Sequence, residues 1–393
     1  MRQDRRGKRR PGKKPGPAYQ AQYRQDVHAA VYRTNDAGGK ERVTAEKELS
    51  SAINSESCAV QPYQSIQIPP AEQELLSRGD MVEVSVETDE TFSGLFEVSR
   101  DGFLKLPHLN GVAAHGRSVG DVEQELAKGL VKARFYRYAP RVSVRITDFA
   151  PARVYVSGAV FEPGATDIGG VSGDDRDEAR QDAMGASTEE RSLARALRAA
   201  GGVRPDADLS KIVISRNGER IEIDARPAVK GRRFADIMLL ADDEVEVPSR
   251  GCFQEALMKP TSVTPPGVKV FMSNLTKPAD ANALSAVGKE ARELRYGPRF
   301  MQAVVGMNCV GGTRMTNANR SAVLFSRNPV TGESIVIERS IEDLLERPDR
   351  DDLDPYILPE DAIACYDSTV TNITDVARSL TIMFALPLAA LAL

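Results

Sequence analysis

One order of elements occurs twice along this chain, and it limits the possible folds more than any other feature of the sequence. In each copy an apolar helical segment ends at a Gly–Gly pair, and two alternating strands follow. The Gly–Gly pairs 201–202 and 311–312 lie 110 residues apart, as do the strand residues Val213 and Val323. Matched spacing of this kind predicts two copies of one small β-rich domain, which we assign to residues 150–250 and 251–366.

The first copy carries two further signals. Asn217–Gly218 stands between two alternating segments and is the strongest short-range sign of a β-hairpin. The stretch 169–191 is rich in Asp, Glu, Arg and Gly. A polar stretch of this length between two elements predicts a mobile insertion.

Residues 72–149 predict a separate α+β domain ahead of the repeat. Met81–Val86 alternates apolar and polar residues, as a half-buried strand does. Asp101–Gly102 marks a tight turn between two strands. Ser118 is placed to cap the N-terminus of a helix over residues 119–134. Apolar residues at helical spacing predict its buried face to be Val122, Leu126 and Leu130.

Residues 1–71 are predicted to be a disordered basic tail and linker. Residues 2–14 hold eight Lys or Arg against the single acid Asp4, and such a block cannot bury apolar surface. This tail is either a binding element for anionic lipid or nucleic acid or simply a solvated segment. The first 60 residues contain no apolar run of the length that a secretory signal needs, so no signal peptide is visible.

Residues 367–393 are predicted to form a C-terminal membrane helix. The segment 374–393 is 20 residues long, which gives about 30 Å as a helix and so spans a bilayer core. A stripe of small and polar residues follows one face, as a helix facing a lumen or a neighbour requires. The predicted stripe consists of Thr374, Arg378, Thr381, Ala385, Ala389 and Ala392. Pro387 should kink this helix, so a simple anchor and a helix packed on the preceding domains are the alternatives.

The sequence offers no residue set typical of catalysis, cofactor binding or metal binding. The three histidines have no cysteine or histidine partner at metal-ligand spacing, and no phosphate-binding or nucleophile motif is present. The net charge of −4 argues against a nucleic-acid partner. Cys58, Cys252, Cys309 and Cys365 are widely spaced. One disulfide is possible, but the spacing selects no pair, and isolated buried thiols explain the same pattern.

These features together resemble the outer-membrane polysaccharide export family. Residues 72–149 are similar to its export-signature domain, and the next segment is similar to the opening of its soluble-ligand-binding β-grasp domain. The matching positions in the first domain are Gly79–Asp80, Ser93–Gly94, Asp101–Gly102, Leu106–Pro107 and Pro140–Val144. Those in the second are Gly158, Val160 and Pro163–Gly164. The second copy departs from this pattern, with Ala279 after Pro278.

The resemblance implies a β-rich α+β protein with an export-signature domain, two β-grasp-like domains and a C-terminal membrane helix. It implies a non-enzymatic subunit of a ring-shaped homo-oligomer that passes polysaccharide through the periplasm and outer membrane. The implied partners are the polysaccharide and an inner-membrane polysaccharide co-polymerase. The alternative is a membrane-anchored periplasmic module that binds glycan or an envelope partner and forms no pore. A glycan-cleaving enzyme is disfavoured, because the acids of 174–190 lie in a predicted mobile loop.

Overall fold

The chain folds as a β-rich α+β protein with few helices. It divides into two compact units, one of residues 54–266 and one that joins residues 267–393 with residues 1–53. Each unit is described by itself below. The computed structural model describes residues 20–23, 74–87, 89–169, 190–274, 291–307, 309–310, 321–346 and 354–366.

The first unit begins with a three-stranded antiparallel sheet of order β2-β1-β5 and a small two-stranded sheet, β3-β4. Alternating apolar residues of β1 turn inward, so that Val82, Val84 and Val86 are buried. The strands are β1 (Met81–Val86), β2 (Asp89–Glu97), β3 (Phe103–Leu104), β4 (Val112–Ala113) and β5 (Val142–Asp148).

Helix α1 (Val119–Lys132) packs on this sheet as the sequence predicts. Ser118 caps its N-terminus by accepting a hydrogen bond from the backbone N–H of Asp121 at 3.2 Å. The predicted apolar face of the helix is confirmed, because its buried residues are Val122, Leu126 and Leu130. Together with the buried valines of β1 they form the core of this domain.

A five-stranded mixed sheet of order β7-β6-β10-β8-β9 follows in the same unit. Helix α2 (Leu193–Ala199) lies between its second and third strands in sequence. Gly158 ends β6 where the backbone approaches β10, and a Cβ there would lie 2.1 Å from the Val247 carbonyl oxygen. The strands are β6 (Ala152–Gly158), β7 (Gly164–Ile168), β8 (Ile212–Arg216), β9 (Glu219–Ile223) and β10 (Glu244–Val247).

The second unit contains a five-stranded sheet of order β12-β11-β15-β13-β14, with helix α3 (Phe300–Gly306) again between the second and third strands. Counted within each sheet, both sheets therefore have the strand order 2-1-5-3-4, and the first strand is parallel to the fifth (β6 to β10 and β11 to β15), which is the topology of a β-grasp fold. A short helix α4 (Ile341–Glu346) follows β14. The strands are β11 (Gly267–Asn274), β12 (Arg292–Arg295), β13 (Ser321–Arg327), β14 (Ser334–Ser340) and β15 (Ala362–Tyr366).

One turn leads into the central strand of all three larger sheets. The turns span Ser77–Asp80, Leu240–Asp243 and Leu358–Asp361, and their third residues have φ of 83°, 70° and 67°. In each turn the aspartate carboxylate accepts the backbone N–H of the first residue, at 2.7, 2.8 and 2.8 Å. The repeated turn gives each of the three larger sheets a buried aspartate at the same place.

The two β-grasp sheets differ in what faces this carboxylate. Arg216 lies one residue beyond Ser215, the last residue of β8 that pairs with β10, and its guanidinium binds Asp243 at 2.7 Å. Ser326 occupies the equivalent position in β13 of the second sheet. In the first sheet Ile214 pairs with Val245, and Arg216 follows Ile214 by two residues. In the second sheet Leu324 pairs with Ile363, and Ser326 follows Leu324 by two residues. Asp361 is therefore buried beside a serine where the first sheet has an arginine.

Burial raises the pKa of Asp361 to about 8. Contacts with the Ser326 side chain, the Leu358 backbone N–H and the Gln22 side chain oppose this rise, in that order. The folded protein therefore keeps a proton on this carboxyl at neutral pH, which an exposed aspartate would have lost.

The described residues also alter several sequence expectations. Gln20 and Gln22, in the tail predicted to be disordered, are buried, and both side-chain amides donate to the Tyr356 carbonyl at 2.7 and 2.8 Å. Arg191, at the end of the predicted mobile insertion, is fully buried. The segment 251–266, expected in the second copy, packs on the first through Leu257 and Val263.

The three described cysteines are disulfide-bonded and are not isolated thiols. Cys309 and Cys365 join the end of the α3 segment to β15, with Cα atoms 6.2 Å apart. Cys252 is also disulfide-bonded, and among the described residues no cysteine is free. Sequence spacing could not select this pair, because Cys309 and Cys365 are 56 positions apart in sequence and only the tertiary fold brings them together.

No helix among the described residues is long and apolar enough to cross a membrane. The predicted C-terminal helix, 374–393, lies outside the described residues, and so does the rest of the predicted insertion, 170–189.

Candidate polymer-contact surface

The site residues predicted from the sequence cannot be placed, because all six positions of the stripe lie outside the described residues. Within the residues that the structure describes, no group of three or more His, Cys, Asp or Glu could hold a metal ion. The candidate functional surface described below consists of exposed aromatic and charged residues of the first domain, 72–149.

Helix α1 ends in a left-handed residue, after which the chain turns away from the helix axis. Arg134 follows the helix with φ of 65°, a left-handed conformation in which glycine is usual. The backbone N–H of Arg134 donates to the Val131 carbonyl at 2.9 Å, and that of Phe135 donates to the Leu130 carbonyl at 3.1 Å. This Schellman-type ending fixes the direction of the next residues, 134–141, which we call the aromatic–arginine loop.

Two side chains hold the aromatic–arginine loop against the sheet. The Phe135 ring meets the buried Phe92 ring edge-on, with centroids 5.0 Å apart. The Tyr136 hydroxyl donates to the Asp89 carboxylate at 2.5 Å. This bond raises the pKa of Tyr136 to about 12 and lowers that of Asp89, so both keep their usual charge near neutral pH.

The next two side chains point away from the protein. Tyr138 is 74% exposed, and the Arg137 guanidinium lies 5.6 Å from its ring centroid. The contacts of Phe135 and Tyr136 fix the backbone on one side of this cation–aromatic pair. An exposed tyrosine of this size beside an arginine is typical of a binding surface.

The charge around the aromatic–arginine loop is strongly one-sided. Residues 126–147 contain no Asp or Glu, although the whole chain has a net charge of −4. Among the described residues, Arg145 is paired with Glu83 at 2.5 Å, and the other cations of this stretch form no ion pair. The basic residues are Lys128, Lys132, Arg134, Arg137, Arg141 and Arg145.

A buried ion pair ties this domain to the first β-grasp sheet. Arg191 and Asp80 are both fully buried and make two hydrogen bonds, one of 3.1 Å. The Arg191 Nε also donates to the Ala150 carbonyl at 2.9 Å, and the guanidinium lies 5.1 Å from the centroid of the Phe149 ring. Asp80 therefore links the two domains through an arginine that desolvation makes costly to unpair.

A polar cavity of about 400 Å³ lies at the same junction. Each of its three carboxylates is paired with a cation: Asp101 with Lys105, Asp242 with Arg78, and Asp243 with Arg216. The Lys105 bond lowers the pKa of Asp101 to about 2. The ten lining residues include no serine, threonine, cysteine or lysine. They are Arg78, Asp101, Gly102, Phe103, Ala113, His115, Asn217, Ala241, Asp242 and Asp243.

His115 is the remaining titratable group of this cavity. Burial lowers the pKa of its half-buried imidazole, and Arg78 and Arg216 act in the same direction against Asp243 and Asp80. Among the described residues its Nδ1 has no hydrogen-bond partner. Glycoside hydrolysis uses two carboxyl groups, one of them as a general acid, whereas the three carboxylates that line this cavity are all ion-paired.

Comparison with known proteins identifies the domain that carries the aromatic–arginine loop. Residues 68–147 match the family described as polysaccharide biosynthesis/export protein. This match confirms the resemblance predicted from the sequence for this part of the chain: residues 68–147 are similar to the polysaccharide export domain.

Two curated relatives extend the similarity beyond that domain. The EPS I polysaccharide export outer membrane protein EpsA of Ralstonia nicotianae is 26% identical over 206 residues, which are 51% of this chain and 48% of the relative. The protein of the same name from Ralstonia solanacearum is 25% identical over the same shares. This chain thus spans about half the length of the curated relatives it matches.

Sequence reasoning did not single out the aromatic–arginine loop. The available signal was composition, since Phe135, Tyr136 and Tyr138 place three of the chain's 22 aromatic residues within four positions, interleaved with arginine. The exposure of Tyr138 and the anchoring of its neighbours could be seen only in the structure.

Proposed function

We propose that this chain is a subunit of an assembly that exports polysaccharide across the periplasm and the outer membrane. The observation that carries the proposal is the export domain of residues 68–147, followed by two sheets of one topology. The two Ralstonia relatives, which are polysaccharide export outer membrane proteins, support it. In this proposal the domains are 72–149 for export, 150–250 and 251–366 for the two β-grasp-like domains, and 367–393 for the membrane segment.

The assembly we propose is a ring of identical subunits. Residues 374–393 would cross the outer membrane as a helix, with the small and polar stripe from Thr374 to Ala392 turned toward the lumen. An inner-membrane polysaccharide co-polymerase would deliver polymer to the periplasmic side. No chemical step is required of the chain, because transport needs a conduit that the polymer contacts weakly at many points.

The disulfide supports a location outside the cytoplasm. The Cys309–Cys365 bond persists only where the surroundings are oxidising, and a periplasmic domain meets that condition. This inference is independent of the similarity to known export proteins, because it rests on two side chains of the second unit.

Deletion of the gene, with total and surface polysaccharide measured separately, tests the proposed function. We expect surface polymer to fall at least tenfold while polymer retained by the cells persists, because synthesis precedes export. Restoring the full gene should restore surface polymer. Unchanged surface polymer in the deletion strain would refute the proposal.

A truncation separates the channel from an anchored binding module. Removing residues 374–393 should abolish both membrane insertion and export if this segment lines a pore. Export that survives the truncation would rule out the pore and leave the glycan-binding module as the function of the chain.

A further inference from the structure

The aromatic–arginine loop presents two outward side chains whose chemistry indicates what class of polymer the export domain binds. Its two outward side chains, Arg137 and Tyr138, are held in place by neighbours that are packed or hydrogen-bonded to the sheet. Such preorganisation lowers the entropy lost on binding and marks the pair as a contact point.

We propose that the aromatic–arginine loop binds an acidic polysaccharide, one that bears a carboxylate on its sugar rings. This inference rests on the proposed function and adds the chemical class of the polymer. The Tyr138 ring, 74% exposed, offers an aromatic face against which the C–H face of a sugar packs. The guanidinium of Arg137 beside it binds a carboxylate with two parallel hydrogen bonds.

The surrounding charge supports an anionic ligand over a neutral one. Arg134 and Arg141 flank the pair in sequence. Lys128 and Lys132 lie in the last turns of α1, where the helix dipole favours positively charged side chains. Two acidic residues contact the loop: Asp89, which accepts a hydrogen bond from the Tyr136 hydroxyl, and Glu87, whose backbone N–H donates to the Arg141 carbonyl at 3.0 Å. A neutral glycan would gain nothing from this excess of unpaired cations.

The composition of the surface favours a polymer over a folded protein partner. Within residues 134–141 the exposed large apolar side chains are Phe135 and Tyr138, at 46% and 74%, and the Phe135 ring contacts Phe92. A stable protein interface has a larger apolar centre than two rings provide. A flexible polymer that binds through one ring and one carboxylate per repeat matches the small area of this surface.

Binding of defined oligosaccharides to the purified full-length protein tests the proposal. The probes are an oligomer of uronic acid residues and a neutral glucose oligomer of equal length, measured by calorimetry at low and at physiological salt. We expect the uronic acid oligomer to bind more tightly by about tenfold or more, and we expect this preference to weaken as salt rises.

Four variants define the contact. R137A and Y138A should each weaken binding of the uronic acid oligomer about tenfold, since Arg and Tyr commonly dominate such surfaces. Y138F keeps the aromatic face and should bind like the wild type. R137K keeps the charge but loses the planar fork, so it should weaken binding several-fold. The matched control R220A removes one exposed arginine from β9 and should change nothing.

Three outcomes would overturn the proposal. These are equal binding of the neutral oligomer, no binding of either oligomer, and equal effects of R137A and R220A. The proposed function fails separately, because it depends on surface polymer in the deletion strain and not on this binding measurement. A loop that binds an acidic protein of the export assembly and no oligosaccharide would likewise refute the polymer assignment.

Discussion

At the scale of single residues, one substitution distinguishes the two β-grasp sheets. The repeated turn buries an aspartate in each, and Arg216 neutralises Asp243 in the first sheet. The second sheet has Ser326 at the equivalent position, so Asp361 is buried without the arginine and its pKa rises to about 8. A carboxyl in this state stabilises the fold only while it is protonated.

The expected consequence is a second unit that loses stability as pH rises. Between the pKa of an unfolded aspartate, about 4, and that of Asp361, about 8, the folded chain holds a proton that the unfolded chain has released. The unfolding free energy should therefore fall by up to about 1.4 kcal/mol per pH unit in this window. Amide hydrogen exchange of β15, measured from pH 5 to pH 8, follows this unit directly once corrected for intrinsic exchange rates.

Two variants separate the contribution of Asp361 from any other pH dependence of stability. D361N mimics the protonated carboxyl and should remove most of the slope, making the unit more stable than wild type at pH 8. D243N leaves Arg216 without its partner in the first sheet and should lower stability by about 3 kcal/mol at neutral pH. An unchanged slope in D361N would show that Asp361 does not hold the proton.

At the scale of elements, the sequence predicted what local patterns can specify. The alternation of Met81–Val86 and the spacing of Val122, Leu126 and Leu130 gave β1 and α1 with their buried faces. The short strands β4, β7 and β12 were not predicted, because each is defined by a partner strand and has only two to five residues. Cys309 and Cys365 could not be paired for the same reason, since sheet topology brings them together.

The disulfide is expected to add substantially to the stability of the second unit. A cross-link over 56 residues of sequence removes unfolded-chain entropy worth about 4 kcal/mol in the loop-closure account. Replacing both Cys309 and Cys365 with serine should therefore lower the melting temperature of this unit in calorimetry. A serine pair avoids adding reductant, which would also act on Cys252. An unchanged melting temperature would contradict a bond formed in the native protein.

At the scale of the whole molecule, the repeat in the sequence predicted a repeat in strand order. The Gly–Gly pairs lie 110 residues apart in sequence. The two five-stranded sheets have the same strand order, and their equivalent strands pair in the same register. The candidate contact surface was not predicted, because exposure of Tyr138 depends on how Phe92 and Asp89 hold the residues before it. Local sequence indicates which residues are aromatic and basic, whereas tertiary packing decides which of them face solvent.

We propose that the export domain moves polysaccharide through contacts at the aromatic–arginine loop. The most direct test of this claim is the ratio of surface to cell-retained polymer in the deletion strain carrying full-length R137A/Y138A at wild-type abundance in the envelope, with R220A as control. We predict that R220A restores the wild-type ratio and that the double variant lowers it at least fivefold, with polymer accumulating inside the cells. A double variant that restores the wild-type ratio would contradict the claim.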